Sequence, residues 1–516
     1  MMERVKKIQR LIGRKKVLVN EEVLNTEMDR CLSTSDVVFF GFGHTVGAGM
    51  YVLTGIIAKN IAGPGVVLSF LIAGLAALFS GICYAELGSR IPKAGSAYAY
   101  SIIVVGELWG FFVGWNMILE NTIGCASVAR SLSGSPKISF LSDYLDFLAG
   151  FLTIFIAIIL LIRVKDSSII NKVLSTINII TIVTVIVVGF YYADIKLWTS
   201  PTYGSFLPYG FTGVIQGASN AFYGFVGFEN VACAAEETKI PTYTMPRALI
   251  SVLMAALFTY MAVSSILTLM VPYYAIDLSY SIANAFQLHN CFWARYLVTV
   301  GGISAMVGCI LCNIFGASRL IYSMASDGLF FRCFSYVTPT SKIPICSVML
   351  STLTIVITTV MFDLEILMEL LSIGTLTAYT MVGICVILLR YDDNFPRSEY
   401  CILDDLNADG DVQKVKPKLR SPFKSCTNLW PFSGSKSSVI RIALILLAGS
   451  SIAIIQIAKI IFSHATNWWI CFLMFIFCAI FVVSFIIISA YNQTEQPGEF
   501  FKVCIIFEQD SLCMSL

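Results

Sequence analysis

Residues 41–49 read GFGHTVGAG and residues 222–229 read FYGFVGFE, and each stretch interrupts a long apolar run with small residues. Glycine destabilises a helix interior, so we expect both runs to be broken near their centres. A break exposes backbone N–H and C=O groups that lipid cannot satisfy, and it is tolerated only where it lines a cavity inside the protein. Corresponding breaks in two parts of one membrane protein therefore predict a binding cavity, an arrangement typical of secondary transporters.

The composition is that of a membrane protein. Of 516 residues, 57% are hydrophobic and only 13% are charged, which is far outside the range of soluble domains. The formal net charge is +2, and the basic residues are spread over many loops, so we expect no nucleic-acid partner. Residues 1–20 are rich in Lys and Arg but are not followed by the short apolar core and cleavage site of a signal peptide. We therefore expect them to form a cytoplasmic arm that lies on anionic membrane lipid.

Twelve apolar runs are long enough to cross a bilayer, which takes about 20 residues in a helix. They fall at 36–59, 64–87, 103–128, 146–164, 169–192, 209–232, 247–270, 293–318, 345–362, 368–389, 438–460 and 467–490. A cytoplasmic N-terminus places most loop Lys and Arg residues on the cytoplasmic side, in agreement with the positive-inside rule. We therefore expect an all-α, polytopic membrane protein with its N-terminus in the cytoplasm.

The order of the spans predicts the organisation of the chain. Five spans precede the second broken run, and an odd number inverts the orientation of the next five, so we expect two inverted five-helix repeats. The predicted segments are a cytoplasmic N-terminal arm (1–33), the first repeat (34–192), the second repeat (193–390), a cytoplasmic linker (391–437), spans eleven and twelve (438–490) and a cytoplasmic tail (491–516).

The first break is a candidate site for an anionic group. Four glycines remove side chains where a ligand must approach the backbone: Gly41, Gly43, Gly47 and Gly49. Free amides there would receive a carboxylate, and Thr45 adds a hydroxyl. The alternative is that the glycines only permit close helix packing. His44 is explained equally well as a ligand or as a packed, hydrogen-bonded ring.

The second break is a candidate site for a cationic group. Unwinding around Gly224 and Gly227 would leave the carbonyls of Tyr223, Gly224 and Val226 free to accept hydrogen bonds from an ammonium group. The two breaks together would suit a zwitterion. The alternative is that the aromatic residues of this stretch form a packing stripe.

Acids within apolar runs carry information, because a carboxylate in lipid is costly and normally faces the bundle interior or an aqueous cavity. We expect Glu120 to take part in substrate binding or in a proton pathway, and Glu229 to be a structural or gating acid. Three further acids, Glu86, Glu236 and Glu237, lie at predicted helix ends, where we expect solvated or capping roles.

Several strings resemble the cationic amino acid transporters of the amino acid–polyamine–organocation superfamily. Among them are residues 43–53 (GHTVGAGMYVL), 90–98 (RIPKAGSAY), 319–329 (RLIYSMASDGL) and 372–379 (SIGTLTAY), and the resemblance extends over about residues 25–500. It implies two inverted five-helix repeats. It also implies facilitated, sodium-independent transport of arginine, lysine and ornithine across the plasma membrane.

The resemblance also implies roles for particular residues. Thr45, Gly47, Ala48 and Gly49 match positions that hold the substrate carboxylate, and Tyr223, Gly224 and Val226 match backbone positions that receive its amine. Asn178 aligns with a lysine of proton-coupled bacterial relatives, and the lack of that lysine favours facilitated diffusion. Animal members usually have fourteen spans, whereas this sequence contains twelve. We therefore expect it to be a splice form or an incomplete gene model.

The remaining expectations are absences and alternatives. Residues 131–143 contain no cysteine, so we expect no disulfide-linked heavy chain. Three scattered histidines and no nucleophile–base or metal-ligand constellation predict no enzyme activity, no cofactor and no metal. One alternative is a proton-coupled carrier of neutral amino acids with Glu120 as the proton acceptor. Another is an amino acid sensor or truncated isoform that does not transport.

Overall fold

The computed structural model describes residues 28–47, 49–133, 146–161, 164–200, 205–278, 280–338, 342–362, 364–391, 436–462 and 468–490. Within these ranges the structure is helical and contains no strand, apart from a single parallel bridge between Leu32 and Thr238. The prediction of an all-α fold is confirmed. The N-terminal arm before residue 28, most of the linker, the tail and most of the loop 131–143 lie outside the described residues.

The helices of the described residues are numbered in chain order. They are α1 (Thr34–Thr45), α2 (Thr54–Ile57), α3 (Val66–Arg90), α4 (Ala97–Val104), α5 (Glu107–Ser133), α6 (Phe147–Leu160), α7 (Val164–Tyr191), α8 (Lys196–Thr199), α9 (Gly210–Ala221), α10 (Glu229–Cys233), α11 (Pro241–Met270), α12 (Ser281–Leu288), α13 (Phe292–Ser326), α14 (Ile345–Met361), α15 (Leu364–Arg390), α16 (Lys436–Phe462) and α17 (Trp468–Ala490).

The helices fit a polytopic membrane protein. Four stretches of the described chain are long and apolar enough to cross a membrane, namely Thr34–Arg90, Ser168–Tyr191, Pro241–Met270 and Phe292–Ser326, and five more apolar helices have 10 to 17 residues. Each of the twelve predicted runs overlaps helical residues. The arrangement of these helices as two inverted repeats stays a prediction.

Small residues allow the helices of the larger compact unit, which extends to Val382, to pack closely. A Cβ atom at Gly74 of α3 would lie 2.5 Å from Leu257 on α11 and 2.9 Å from Phe225. The smaller unit begins at Gly383 and contains α16 and α17. Its core includes Tyr391, whose hydroxyl donates to the Ile488 carbonyl at 2.7 Å.

Two of the acids expected in solvated or capping positions are instead buried in ion pairs. Glu237 accepts from Arg319 at 2.7 Å, and both side chains are fully buried. Glu86 pairs with Arg90 one turn away on α3 at 2.9 Å. The expectation failed because these helix ends are covered by neighbouring segments, which the local sequence does not reveal.

Candidate substrate site

The first break lies between α1 and a short π-helix, Gly49–Leu53. A capping box starts α1, in which the Ser33 hydroxyl accepts from the Asp36 amide and the Asp36 carboxylate accepts from the Ser33 amide. The helix ends at Thr45, and the Val46 amide still donates to the Phe42 carbonyl at 2.9 Å. The break is therefore centred on residues 46–48, and Ala48 itself lies outside the described residues.

Gly41 and Gly43 lie within α1, before the break. A Cβ atom at Gly41 would lie 2.5 Å from Val231 and 2.9 Å from Val252, and one at Gly43 would meet the Ser175 hydroxyl. The alternative interpretation, close helix packing, is therefore the correct one for these two glycines. The glycines within this apolar run predict that the helix is interrupted, but they do not identify the glycine at which the interruption occurs.

Gly47 lies within the break, and Gly49 follows it as the first residue of the π-helix. A Cβ atom at Gly47 would lie 3.2 Å from the Cys309 side chain. One at Gly49 would lie 2.6 Å from the Tyr260 hydroxyl and 3.0 Å from the Gly224 Cα atom. The two breaks thus approach each other, backbone to backbone, at Gly49 and Gly224.

Side chains from other helices hold the first break open. The Asn178 amide on α7 donates to the Val46 carbonyl at 2.8 Å, and its oxygen accepts from the Tyr51 hydroxyl at 2.8 Å. The Tyr260 hydroxyl on α11 lies 3.1 Å from the Thr45 carbonyl oxygen. Asn178 is fully buried and satisfies a carbonyl that the helix has released, which is what a break at membrane depth requires.

The second break is a 3₁₀ turn, Phe222–Phe225, followed by extended Val226 and by Gly227 with a φ of +119°. We expected the carbonyls of Tyr223 and Gly224 to be free, but both accept hydrogen bonds. The Tyr223 carbonyl accepts from the Val226 amide at 3.1 Å, and the Gly224 carbonyl accepts from the Tyr260 hydroxyl at 2.9 Å. Each carbonyl oxygen has a second lone pair that can accept another donor.

Glu229 and His44 complete the second break. The Glu229 carboxylate accepts from the Gly227 amide at 2.9 Å and from the Tyr379 hydroxyl at 2.8 Å. His44 Nδ1 lies 2.8 Å from the Gly227 carbonyl oxygen. Because a carbonyl can only accept, this nitrogen carries the proton and donates. His44 is thus a buried, hydrogen-bonded ring that joins α1 to the second break.

A cavity lies where the two breaks meet. Its lining residues are His44, Thr45, Gly47, Gly49, Glu120, Asn121, Gly124, Val128, Tyr223, Gly224, Val226, Glu229, Cys309 and Asn313. The predicted binding residues that the structure describes all lie in this lining. Asn178 does not line the cavity but supports the break beside it.

The cavity contains two carboxyl groups with different surroundings. Glu120 Oε1 accepts from the Thr375 hydroxyl at 2.6 Å, whereas Glu120 Oε2 is buried and has no hydrogen-bond partner among the described residues. Glu229 has two donors. The lining residues include no Lys and no Arg. The described residues contain no group of three or more His, Cys, Asp or Glu side chains that could hold a metal ion.

Comparison with known proteins identifies the family. A family model described as amino acid permease matches residues 32–406. Cationic amino acid transporter 4 of Mus musculus is 35% identical over 93% of this chain and 81% of its own length. The protein of the same name in Homo sapiens is 34% identical over the same shares. The chain belongs to the cationic amino acid transporter family.

Membership of this family makes the chain an amino acid transporter and a multi-pass membrane protein. Its relatives are transporters and not enzymes. One plant relative, the vacuolar cationic amino acid transporter 2 of Arabidopsis thaliana, is 35% identical over 74% of this chain and 64% of its own length. The resemblance noted in the sequence is therefore confirmed at the level of family and superfamily.

Sequence reasoning missed several lining residues of this transporter. Asn121, Gly124 and Val128 share one face of α5 with Glu120, and Cys309 and Asn313 lie one turn apart on α13. The α5 residues could have been found, because positions one, four and eight after Glu120 face the same way in a helix. The α13 pair carries no local signal, since an apolar helix with one Asn is compatible with many packing arrangements.

Proposed function

We propose that this chain carries cationic L-amino acids, namely arginine, lysine and ornithine, across the plasma membrane by sodium-independent facilitated diffusion with alternating access. The names of its relatives, cationic amino acid transporters, support the substrate class. The cavity lining, which contains Glu120 and Glu229 but no Lys or Arg, supports this substrate class independently.

The observation that carries the proposal is the unpartnered oxygen of Glu120. Glu120 lines the cavity, its Oε2 atom is buried without a donor among the described residues, and the lining contains neither Lys nor Arg to neutralise the carboxylate. An ammonium or guanidinium group of a substrate would supply the missing donor in a charge-assisted hydrogen bond. A neutral side chain would leave this carboxyl oxygen unsatisfied.

The two breaks provide complementary backbone groups for the rest of the substrate. In this proposal the α-carboxylate is received near Thr45, Gly47, Ala48 and Gly49. The α-amine donates to the second lone pairs of the Tyr223 and Gly224 carbonyls and to the Val226 carbonyl. The close approach of Gly49 to Gly224 supports one ligand that contacts both breaks at once.

The membrane potential suffices to drive accumulation of a cation. Moving one elementary charge through 100 mV changes its free energy by about 2.3 kcal/mol, which corresponds to roughly a fiftyfold concentration ratio. In this proposal Asn178, which aligns with a lysine of proton-coupled bacterial relatives, supports the first break and carries no proton.

The proposed location is the plasma membrane, with the N-terminus in the cytoplasm and no disulfide-linked heavy chain. The two mammalian relatives, whose names specify no organelle, match 93% of this chain, whereas the vacuolar plant relative matches 74%. The distribution of basic residues supports the orientation. Surface biotinylation with and without reducing agent would test the location and the absence of a covalent partner together.

The first experiment measures uptake of labelled arginine and leucine by purified protein in liposomes, with an inside-negative potential and no sodium or pH gradient. We expect arginine to accumulate and the accumulation to collapse with the potential. Replacing Glu120 by Gln keeps an acceptor for Thr375 but removes the charge. Loss of one hydrogen bond to a charged group should lower arginine kcat/KM by roughly 10- to 100-fold and leave leucine uptake nearly unchanged.

The matched control is Glu107→Gln on the same helix, about 20 Å from Glu120 along the axis. It should leave arginine uptake unchanged. Equal arginine uptake by wild type and Glu120→Gln would contradict the site assignment. Leucine uptake driven by a pH gradient would favour the proton-coupled carrier, and thermal stabilisation by arginine without flux would favour the sensor.

A further inference from the structure

The two carboxyl groups of the cavity are held by hydroxyls of one helix. On α15, the Thr375 hydroxyl donates to Glu120 Oε1 at 2.6 Å, and the Tyr379 hydroxyl donates to Glu229 Oε2 at 2.8 Å. The donors are four residues apart, so they lie on the same face of α15, one turn from each other. A single helix face therefore orients both acids of the cavity.

The two acids depend on this face to different degrees. Glu229 also accepts from the Gly227 amide, so the backbone of its own break fixes the carboxylate. Tyr379 is further held by its ring, whose centroid lies 5.1 Å from that of Phe228 and 5.7 Å from that of Tyr84. Glu120 receives its one described hydrogen bond from Thr375, and its other oxygen has no partner among the described residues.

Close packing of α15 against α5 makes the Thr375 contact possible. A Cβ atom at Gly374 would lie 3.1 Å from the Asn116 carbonyl oxygen and 3.4 Å from the Glu120 Cβ atom. Because Gly374 has no side chain, the next residue, Thr375, comes within hydrogen-bond reach of the carboxylate. Both Thr375 and Glu120 are almost fully buried, and a hydrogen bond in such surroundings is stronger than one exposed to water.

We propose that Thr375 is a positioning residue that turns Glu120 Oε2 toward the side-chain cation of the substrate and thereby sets the preference for cationic over neutral amino acids. The inference rests on the proposed function. A hydroxyl that occupies Oε1 leaves only Oε2 available, and it stabilises the ionised carboxylate that a cation requires. Without the hydroxyl, the carboxyl group is free to rotate about its terminal bond and its charge is less well solvated.

The test compares three variants in liposomes by competition between labelled arginine and leucine. Thr375→Val keeps the shape of the side chain but removes the donor, and it should lower the arginine-to-leucine kcat/KM ratio about tenfold, the effect of one hydrogen bond to a charged group. Thr375→Ser restores the hydroxyl and should restore most of the ratio. Tyr379→Phe removes the bond to Glu229 and should slow both substrates without changing their ratio.

A double-variant cycle separates positioning from a structural role. In a Glu120→Gln background, Thr375→Val should have little further effect on the ratio, because the charge that it orients is gone. A Thr375→Val protein that loses both substrates equally, or keeps the wild-type ratio, would overturn the inference. A wild-type protein without preference for arginine would instead overturn the proposed function, and this inference with it.

Discussion

The two breaks of this transporter are stabilised in different ways. The first break is held by side chains from other helices, because Asn178 on α7 and Tyr260 on α11 pair with the Val46 and Thr45 carbonyls. The second break is held largely by its own residues, through the hydrogen bonds from the Val226 amide to the Tyr223 carbonyl and from the Gly227 amide to Glu229. We expect the first break to change when α7 moves and the second to move as a unit, whereas α11 contacts both breaks through Tyr260.

Two side chains connect the breaks. The His44 ring donates to the Gly227 carbonyl at 2.8 Å, and the Tyr260 hydroxyl lies 2.9 Å from the Gly224 carbonyl oxygen and 3.1 Å from that of Thr45. Since one hydroxyl has one proton, Tyr260 donates to one of these carbonyls at a time or shares its proton between them. The cavity geometry therefore depends on a small number of hydrogen bonds, each of which can be removed separately.

The largest effect is expected from Gly227→Ala, which disturbs the break that is stabilised locally. Gly227 has a φ of +119°, and an added Cβ atom would lie 2.6 Å from His44 Nδ1. The strained backbone alone costs about 1–3 kcal/mol, and the displaced His44 ring would distort the cavity. We expect arginine uptake to be lost and the melting temperature in detergent to fall.

Gly328→Ala is the control for backbone strain. Gly328 has a φ of +78°, but an added Cβ atom would meet nothing within 4 Å. This variant should lose some stability and keep its uptake. If both variants retained wild-type uptake, the second break would not require a glycine, and the cavity would tolerate a shift of His44.

A smaller effect is expected from Asn178→Leu, which removes the external support of the first break. The change leaves the buried Val46 carbonyl and Tyr51 hydroxyl without the partners that Asn178 provides, at about 1–3 kcal/mol for such a group. Uptake of arginine and leucine should fall together, and the dependence of uptake on pH should stay as in the wild type. Thermal unfolding and uptake at several pH values check both statements.

Thr176→Val is the control on the same helix, because the exposed Thr176 hydroxyl donates to the Lys172 carbonyl of α7 itself at 2.7 Å. It should behave as wild type. A changed pH dependence in Asn178→Leu alone would contradict a purely structural role for Asn178.

The difference between the two breaks also explains which parts of the site could be predicted from the sequence. Gly227 and Glu229 lie within one short stretch, so the second break and its acid could be located from local spacing. The support of the first break comes from Asn178 and Tyr260, which are more than 130 residues away from it in the chain. Local periodicity predicts that α7 and α11 are helices, but the partners of these side chains depend on tertiary packing.

The same limit applies to the two acids. Glu120 and Glu229 could be selected as buried acids because a carboxylate in an apolar span is costly. Their different surroundings could not be predicted, since Thr375 and Tyr379 approach from α15. A hydroxyl in an apolar helix most often bonds to the carbonyl four residues earlier, as the Thr380 hydroxyl does on α15, and sequence alone does not separate the two cases.

The smallest effect is expected from Tyr260→Phe, which removes the hydroxyl shared by the two breaks and keeps the ring. The ring stays stacked on Phe70, at a centroid distance of 4.7 Å, so the packing of α11 is preserved. Loss of one buried hydrogen bond costs about 1 kcal/mol, and we expect KM to rise about fivefold for arginine and leucine alike. Tyr243→Phe on the exposed part of α11 is the control. A change in the arginine-to-leucine ratio of KM values in Tyr260→Phe would mean that the shared hydroxyl contacts the substrate. An equal change in KM for both substrates is the result expected of a group that only sets the distance between the breaks.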